Sequence, residues 1–248
     1  MYLSPTPPLS FSDIRLIAFD ADDTLWDNQS HFEKVEHAYC DILSPYGQAD
    51  KVSAALFDTE TRNMPMLGYG CKAFIISLIE NAITISHGRI PASDLLHIVQ
   101  LGKDLLSFPT IPLPHVVETL EEIRATKIYK MVVFTKGELL DQQNKLTRSG
   151  LTRYFDDVVV VADKTRNEYI RLCHVFDVDV HRLLMVGNSF KSDVEPVLQL
   201  GGHAVHIPFH TTWQHEKVEE YQHTNLIVLE NIRQLAPLLG RPSAMGNK

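Results

Sequence analysis

The chain has 248 residues and a formal net charge of −8 at pH 7. Hydrophobic residues make up 44% and charged residues 22% of it, which is ordinary for a globular protein with a buried core. The acidic balance argues against a general nucleic-acid binder, because such a protein carries a basic face.

The cysteines and the hydropathy pattern bear on where the protein works. Cys40, Cys71 and Cys173 stand far apart without paired spacing, which favours reduced thiols and a cytoplasmic location. The first twelve residues lack the basic start and apolar run of a secretory signal. No stretch approaches the ~20 apolar residues that cross a bilayer, so we expect no membrane partner.

The first predicted element is a buried parallel strand at residues 16–19, followed directly by Asp20-Ala21-Asp22-Asp23-Thr24. Side chains alternate along a strand, so Asp20 and Asp22 are expected to point the same way. Two neighbouring carboxylates repel each other, and such a pair persists when a cation neutralises it or when chemistry needs it. The alternative is an acidic loop that caps the next helix.

The chain then turns helical for a long stretch. Helices are predicted at 31–43, 49–62, 72–85 and 93–106, with Ser93 as the N-cap of the fourth, before a proline-rich connector at 108–114. We therefore predict an all-helical insertion at residues 28–111 and a core built from residues 1–27 and 112–248.

Strands and helices alternate in the rest of the chain. Strands are predicted at 131–134, 158–162, 183–186, 203–207 and 226–229. Between them we predict helices at 115–125, at 138–148 ended by Gly150, and from a capping box at Thr165 to residue 176. This alternation predicts an α/β fold with a doubly wound parallel sheet.

Polar side chains follow each of the central strands. Thr135-Lys136-Gly137, Lys164 and the segment 187–193 stand at predicted strand ends, as Asp20 does. Ligands of an open α/β sheet bind outside the carboxyl ends of its strands. We expect these segments to form one site that contains Asp20, Asp22, Thr135, Lys164 and Asp193.

Together these segments resemble the four motifs of the haloacid dehalogenase superfamily, in its phosphatase branch. The first motif is matched by Asp20, Asp22 and Thr24, the second by Thr135, the third by Lys164, and the fourth by the run from Gly187 to Asp193. The motifs occur in the family's order and span most of the chain. The resemblance implies a Rossmann-like core with a helical C1-type cap over the site.

The resemblance also implies a magnesium-dependent phosphatase that acts on a small phosphorylated metabolite. In that scheme Asp20 forms an aspartyl-phosphate and Asp22 is the general acid and base. The metal ligands would be Asp20, the carbonyl of Asp22, Asn188 and Asp193. The phosphoryl oxygens would be held by Thr135, Lys136, Gly137 and Lys164.

Two residues depart from the family pattern. Asp23 stands where the family usually has glycine, so the turn after the first strand is expected to differ. Asn188 stands where an acid is common, which predicts weaker metal binding or a larger share for Asp193.

Alternatives stay open at this point. A phosphomutase or phosphotransferase would keep both Asp20 and Asp22, whereas a haloacid dehalogenase lacks the second acid. A non-catalytic phosphate-binding protein is the third alternative. The specific substrate and the oligomeric state are not specified by the sequence.

Some other patterns receive a structural interpretation. The run 68–73 fits a loose dinucleotide fingerprint, but no strand precedes it, so a turn between helices is favoured. His203, His206, His210 and His215 do not share one strand face or a cysteine partner, which disfavours a zinc site. Trp26 is expected to pack at the hinge of the insertion rather than to contact substrate.

Overall fold

The structure is a computed structural model that describes residues 11–240. Sequence-based assignments for residues 1–10 and 241–248 lie outside the described residues. Within residues 11–240, six strands form one sheet in the order β3-β2-β1-β4-β5-β6, and all neighbouring pairs are parallel. They are β1 (Leu16–Phe19), β2 (Lys130–Lys136), β3 (Asp157–Val161), β4 (Leu183–Gly187), β5 (His203–His206) and β6 (Leu226–Val228). The predicted doubly wound α/β fold is confirmed.

β1 lies at the centre of the sheet, as its apolar composition requires. All of its residues are buried, and Phe19 is in register with Val133 of β2 and Val186 of β4. The strand order reverses its direction between β1 and β4, which makes this edge the switch point of the sheet. The loops that follow β1, β2 and β4 therefore begin at the same level.

The described residues contain nine α-helices. They are α1 (Gln29–Leu43), α2 (Ala49–Leu67), α3 (Cys71–Ile85), α4 (Ala92–Leu105), α5 (Val116–Ala125), α6 (Leu139–Ser149), α7 (Arg166–Val175), α8 (Glu195–Gln199) and α9 (Leu235–Leu239). A π-helical turn, Phe190–Val194, precedes α8. None of the helices within residues 11–240 is both long and apolar enough to cross a membrane.

Helix ends agree with the sequence signals in two places and differ in two. The Thr165 hydroxyl accepts the Glu168 N–H at 3.4 Å and opens α7, and Gly150 ends α6 at φ 72°. The predicted N-cap Ser93 was wrong, because α4 begins one residue earlier, after extended Pro91. α2 continues past its predicted end to Leu67 and contains Pro65, which lacks the N–H that would bond to the carbonyl four residues earlier.

Helices cover both faces of the sheet. On one face, α5, α6 and α9 pack on a cluster that includes Ile17, Phe19 and Val133. On the other, α7, α8 and the π-helical turn pack on Leu16 and Ala18. Alternate residues of β1 thus pack against the helices on opposite faces of the sheet, which is the reason the strand is apolar throughout.

Helices α1–α4 share a hydrophobic cluster of their own. Two neighbouring linkers connect them to the sheet: Leu113 N donates to Leu25 O at 2.9 Å, and Trp26 forms a bridge with Pro112. Trp26 is fully buried at this hinge, as its aromatic side chain suggested. The boundaries predicted at 28–111 stay a prediction.

The long connection between β5 and β6 reaches across to the helical segment. Thr211 Oγ1 donates to Glu33 at 2.7 Å, and the His215 ring stacks on Phe57 with centroids 4.2 Å apart. Lys72 of α3 also pairs with Glu138, which directly precedes α6. These contacts hold α1–α3 over the carboxyl edge of the sheet.

Candidate active site

A cavity of about 1270 Å³, including its open mouth, lies between the carboxyl edge of the sheet and helices α1–α3. The structure brings most of the predicted site residues together in its wall: Asp20, Asp22, Thr135, Lys136, Lys164, Asn188 and Asp193. The Gly137 amide, predicted as a phosphate donor, donates instead to Val161 O at 3.1 Å. It extends the pairing of β2 with β3 and does not face the cavity.

Lys164 joins the two carboxylates at the floor of the cavity. Its Nζ lies 2.5 Å from Asp20 Oδ1 and 2.6 Å from Asp193 Oδ1, and its side chain is 1% exposed. Burial works to lower the pKa of Lys164, but Asp193 and Asp20 raise it above its ordinary value. Burial raises the pKa of Asp20 to about 7 against the opposing effect of Lys164. The floor is a tightly coupled charge cluster.

The loop after β4 fixes Asp193. Its second carboxylate oxygen accepts the Ser189 N–H at 3.0 Å, and the Tyr169 hydroxyl donates to the Asp193 and Ser192 carbonyls. Gly187 makes this possible, because a Cβ there would lie 2.2 Å from Asp193 Oδ2. The loop therefore requires glycine at the end of β4.

The residues predicted to hold magnesium offer oxygen atoms at one place. The Asn188 amide faces Asp20 Oδ2 at 3.2 Å and the Asp22 carbonyl at 3.3 Å, and Thr24 donates to Asp20 Oδ2 at 3.0 Å. If the Asn188 side-chain nitrogen faces these oxygens, the amide donates hydrogen bonds to them. If its oxygen faces them, it adds a further oxygen ligand of the kind that Mg²⁺ binds. Carboxylate, carbonyl and amide oxygens are the ligands that Mg²⁺ prefers, so the residues fit the ion.

Asp22 has its own set of hydrogen-bond partners, which differ from those of Asp20. Lys145 Nζ lies 3.1 Å from both of its carboxylate oxygens, Gln142 Nε2 donates to Oδ2 at 2.8 Å, and Trp26 Nε1 donates to Oδ1 at 2.7 Å. The expectation that a metal ion relieves repulsion between Asp20 and Asp22 stays a prediction. Each carboxylate has its own lysine.

Asp23 has a left-handed backbone conformation, which favours glycine. Its φ is 65°, a conformation that aspartate tolerates better than most residues. Burial raises the pKa of Asp23 to about 7, while hydrogen bonds from the N–H groups of Gln29 and Asn28 oppose the rise. The Asp23 side chain thus connects the turn after β1 to the start of α1.

A second buried charge cluster lines the cavity beside the loop after β4. Lys136 pairs with Glu216, donates to Ser192 Oγ at 3.0 Å and lies 4.1 Å from the Tyr69 ring centre. The Ser189 hydroxyl also donates to Glu216. Burial alone would raise the pKa of Glu216, but Lys136 and the serine hydroxyls lower it to about 2. Glu216 is a site residue that sequence analysis missed.

The helical side of the cavity is mixed in character. Its lining includes Phe32, Glu36, Glu60, Asn63 and Phe74, together with the turn at residues 68–70, which lies between α2 and α3 as predicted. Burial, aided by the neighbouring Glu36, raises the pKa of Glu60 to about 7. This wall thus adds two acidic side chains and two phenylalanine rings to the cavity lining.

The sequence model of haloacid dehalogenase-like hydrolases matches residues 14–201, which is most of the chain. The chain belongs to the haloacid dehalogenase-like hydrolase family. It is therefore a hydrolase, and the family recognised from the four motifs is confirmed.

Relatives and solved structures agree with this membership. The chain is 23% identical over 239 residues to a glyceraldehyde 3-phosphate phosphatase of Methanothermobacter thermautotrophicus, covering 91% of this chain and 100% of the relative. A haloacid dehalogenase-like hydrolase from Xanthomonas campestris is 33% identical with a TM-score of 0.80, covering 95% of this chain and 98% of that one. The L-2-haloacid dehalogenase from Xanthobacter autotrophicus is 18% identical, with a TM-score of 0.64. The match covers 91% of this chain and 98% of that one, and the two proteins share the fold.

Histidines and cysteines contribute little to this hydrolase site. Among residues 11–240, no three His, Cys, Asp or Glu side chains are grouped to hold a metal ion by themselves. His206 instead contacts the Asn188 carbonyl at 3.0 Å and supports the loop after β4. Trp213 lines the cavity and packs edge-on against Tyr69.

Lys145 and Gln142 are further site residues that the sequence did not reveal. Asp141 and Lys145 have the (i, i+4) spacing that also occurs in exposed helical ion pairs. In the structure these residues of α6 are buried, and Lys145 pairs with Asp22. Position in the fold, not local spacing, decided their role.

Proposed function

We propose that the protein is a magnesium-dependent phosphatase that hydrolyses a small phosphate monoester through an aspartyl-phosphate on Asp20. The observation that carries this proposal is the buried Asp20–Lys164–Asp193 cluster at the floor of a cavity large enough for a small metabolite. The name of the Methanothermobacter relative supports phosphate ester chemistry and makes a three-carbon phosphate the first candidate substrate.

Asp20 is the proposed nucleophile because it follows the central strand and lines the cavity. One of its oxygens attacks phosphorus, the bond from phosphorus to the ester oxygen breaks, and Asp22 gives that oxygen a proton. Asp22 then takes a proton from water, and the water oxygen displaces phosphate from Asp20. The two steps restore the carboxylate of Asp20 and the protonated carboxyl group with which Asp22 begins the cycle.

Asp20, the Asp22 carbonyl, Asn188 and Asp193 would hold the magnesium ion. When bound, the ion lowers the repulsion between the anionic phosphate and the carboxylates of the floor. Lys164 keeps Asp20 oriented and supplies positive charge where the phosphoryl group gathers negative charge.

Thr135 and Lys136 are proposed to bind phosphoryl oxygens together with Lys164. Thr135 is 1% exposed at the end of β2 and lines the cavity. Lys136 reaches the same space but is held by Glu216 and Ser192. In this proposal Lys136 attracts phosphate more weakly than a free lysine would, because Glu216 offsets part of its positive charge.

Residues 28–111 are proposed to act as a cap that selects the leaving group. Helices α1–α3 supply one wall of the cavity, and their contacts with the core enclose it. A cavity of this kind suits a small phosphorylated metabolite better than a folded phosphoprotein. A cytoplasmic location is part of the proposal, and three buried free cysteines are consistent with it.

The test is release of inorganic phosphate from p-nitrophenyl phosphate and from glyceraldehyde 3-phosphate, with Mg²⁺ and with a chelator. We expect turnover that needs the metal and is lost in Asp20→Asn, whereas Asp13→Asn, at an exposed position, keeps it. Full activity of Asp20→Asn, or no turnover with any divalent ion, contradicts the proposal. Movement of phosphate between hydroxyls without its release would instead support a mutase.

A further inference from the structure

We propose that Lys145 is a positioning residue that fixes the carboxylate of Asp22 toward the leaving group of the substrate. The inference rests on the proposed function, in which Asp22 donates and accepts the proton. It adds a residue from α6 that lies outside the four motifs.

The surroundings of Lys145 leave its ammonium group no freedom to bind substrate. Nζ contacts both oxygens of Asp22 at 3.1 Å, donates to Asn28 Oδ1 at 2.8 Å and lies 3.5 Å from Asp141 Oδ2. These contacts use its hydrogen-bond donors. A buried lysine is costly unless it is paired, and here the pairing is with the proposed acid and base.

Asp22 is held from several directions while one edge stays accessible. Its oxygens accept from Lys145, Gln142 and Trp26, so the carboxylate cannot rotate freely. Its side chain nevertheless stays 23% exposed in the cavity, whereas that of Lys145 is 4% exposed. Proton transfer depends steeply on such placement, because the donor must lie within hydrogen-bond reach of the leaving oxygen.

Lys145 also links Asp22 to the hinge of the helical segment. Asn28 directly precedes α1, so the same ammonium group contacts the loop after β1 and the start of α1. Gln142 joins this arrangement from the same helix, and Gly137 leaves room for it, since a Cβ there would lie 3.1 Å from Gln142 Nε2. The orientation of Asp22 is therefore tied to the placement of α1.

Glycerol 3-phosphate is a suitable probe of this role, because its leaving group is an alkoxide that needs a proton.

The test compares two leaving groups in Lys145→Met. An alkoxide needs the proton of Asp22, whereas p-nitrophenolate leaves readily without one. We expect kcat/KM, which reports the step in which the leaving group departs, to fall by about 100-fold or more for glycerol 3-phosphate and by less than about 10-fold for p-nitrophenyl phosphate. A merely structural role would lower both by the same factor.

Further variants separate positioning from folding. Gln142→Met removes another donor to Asp22 without removing a charge, and we expect the same selectivity with a smaller loss, of about 10-fold. Arg124→Met breaks the exposed pair between Arg124 and Asp156, which lies outside the cavity lining, and is expected to change neither rate.

The indole N–H signal of Trp26 gives a readout that does not depend on turnover. The chain has two tryptophans, so Trp213→Phe assigns the signal. We expect Lys145→Met to shift the Trp26 signal and to speed its hydrogen exchange. An unchanged signal, or equal losses for both substrates in an active enzyme, overturns the inference alone. A wild-type protein without any turnover overturns the proposed function and, with it, the inference.

Discussion

The Asp23 carboxylate accepts the backbone N–H of Gln29 at 2.9 Å and thereby joins the loop after β1 to the first turn of α1. The same oxygen accepts the Asn28 N–H at 2.8 Å. α1 lacks a capping side chain at its own N-cap position, so Asp23 satisfies donors that would otherwise depend on water.

Substitutions at Asp23 should separate its backbone role from its capping role. Asp23→Asn keeps an acceptor and a residue that tolerates positive φ, so we expect stability close to that of the wild type. Asp23→Gly loses the cap but relieves the backbone, whereas Asp23→Ala loses the cap and leaves the backbone strained. We expect Asp23→Ala to lose about 1–3 kcal/mol and Asp23→Gly less, measured by urea unfolding. An alanine variant as stable as the glycine variant would contradict this account.

Gly187→Ala should displace Asp193 from the floor of the cavity, because the added Cβ would lie 2.2 Å from its Oδ2. We expect a destabilisation of about 1–3 kcal/mol and a weaker response of activity to Mg²⁺. Gly47→Ala is the matched control, since its Cβ would lie 3.3 Å from the Val52 side chain, far along the chain from the site. Equal magnesium titrations for wild type and Gly187→Ala would show that Asp193 need not be held there.

The pair of Lys136 and Glu216 is buried, so breaking it should be costly. We expect Lys136→Met or Glu216→Gln to lose about 3–5 kcal/mol, and the double variant to lose less than the sum. The exposed pair of Lys72 and Glu138 serves as the control cycle, with an expected coupling below about 1 kcal/mol. Additive losses at Lys136 and Glu216 would argue against direct coupling.

Glu60 should make stability depend on pH. Its pKa is raised from 4.5 to about 7 by burial and by Glu36, so the folded protein disfavours the ionised form. The free energy of unfolding carries no penalty from Glu60 below pH 4.5. The penalty for ionising its buried carboxyl group grows as pH rises and reaches its full size above pH 7. Glu60→Gln should therefore stabilise the protein at pH 8 by about 1–3 kcal/mol and much less at pH 5. Thermal unfolding at both values tests this, with exposed Glu122→Gln as control.

Much of the fold was predictable because its signals are local. β1, β2 and β4 are apolar runs of strand length, and each is followed by polar or charged residues that are typical of a catalytic site. Thr165 and Gly150 mark helix ends through their own side chain or backbone freedom. Since parallel strands share one carboxyl edge, the meeting of Asp20, Lys164 and Asp193 followed from topology.

The partners that orient these groups were not predictable, for a physical reason. Lys145 and Glu216 are polar residues whose local surroundings resemble solvated surface, and their burial depends on contacts more than a hundred and about eighty residues away along the chain. Only the assembled fold shows which charge faces which. For the same reason the sequence did not show that Asp20 and Asp22 pair with two different lysines.

The hydrogen bond from Leu113 to Leu25 has an evolutionary consequence. An inserted segment whose two ends lie side by side can lengthen, shorten or be exchanged without disturbing the register of the strands that flank it. If the proposed function holds, selection on leaving-group preference can act on the inserted residues while the residues that handle phosphate stay unchanged.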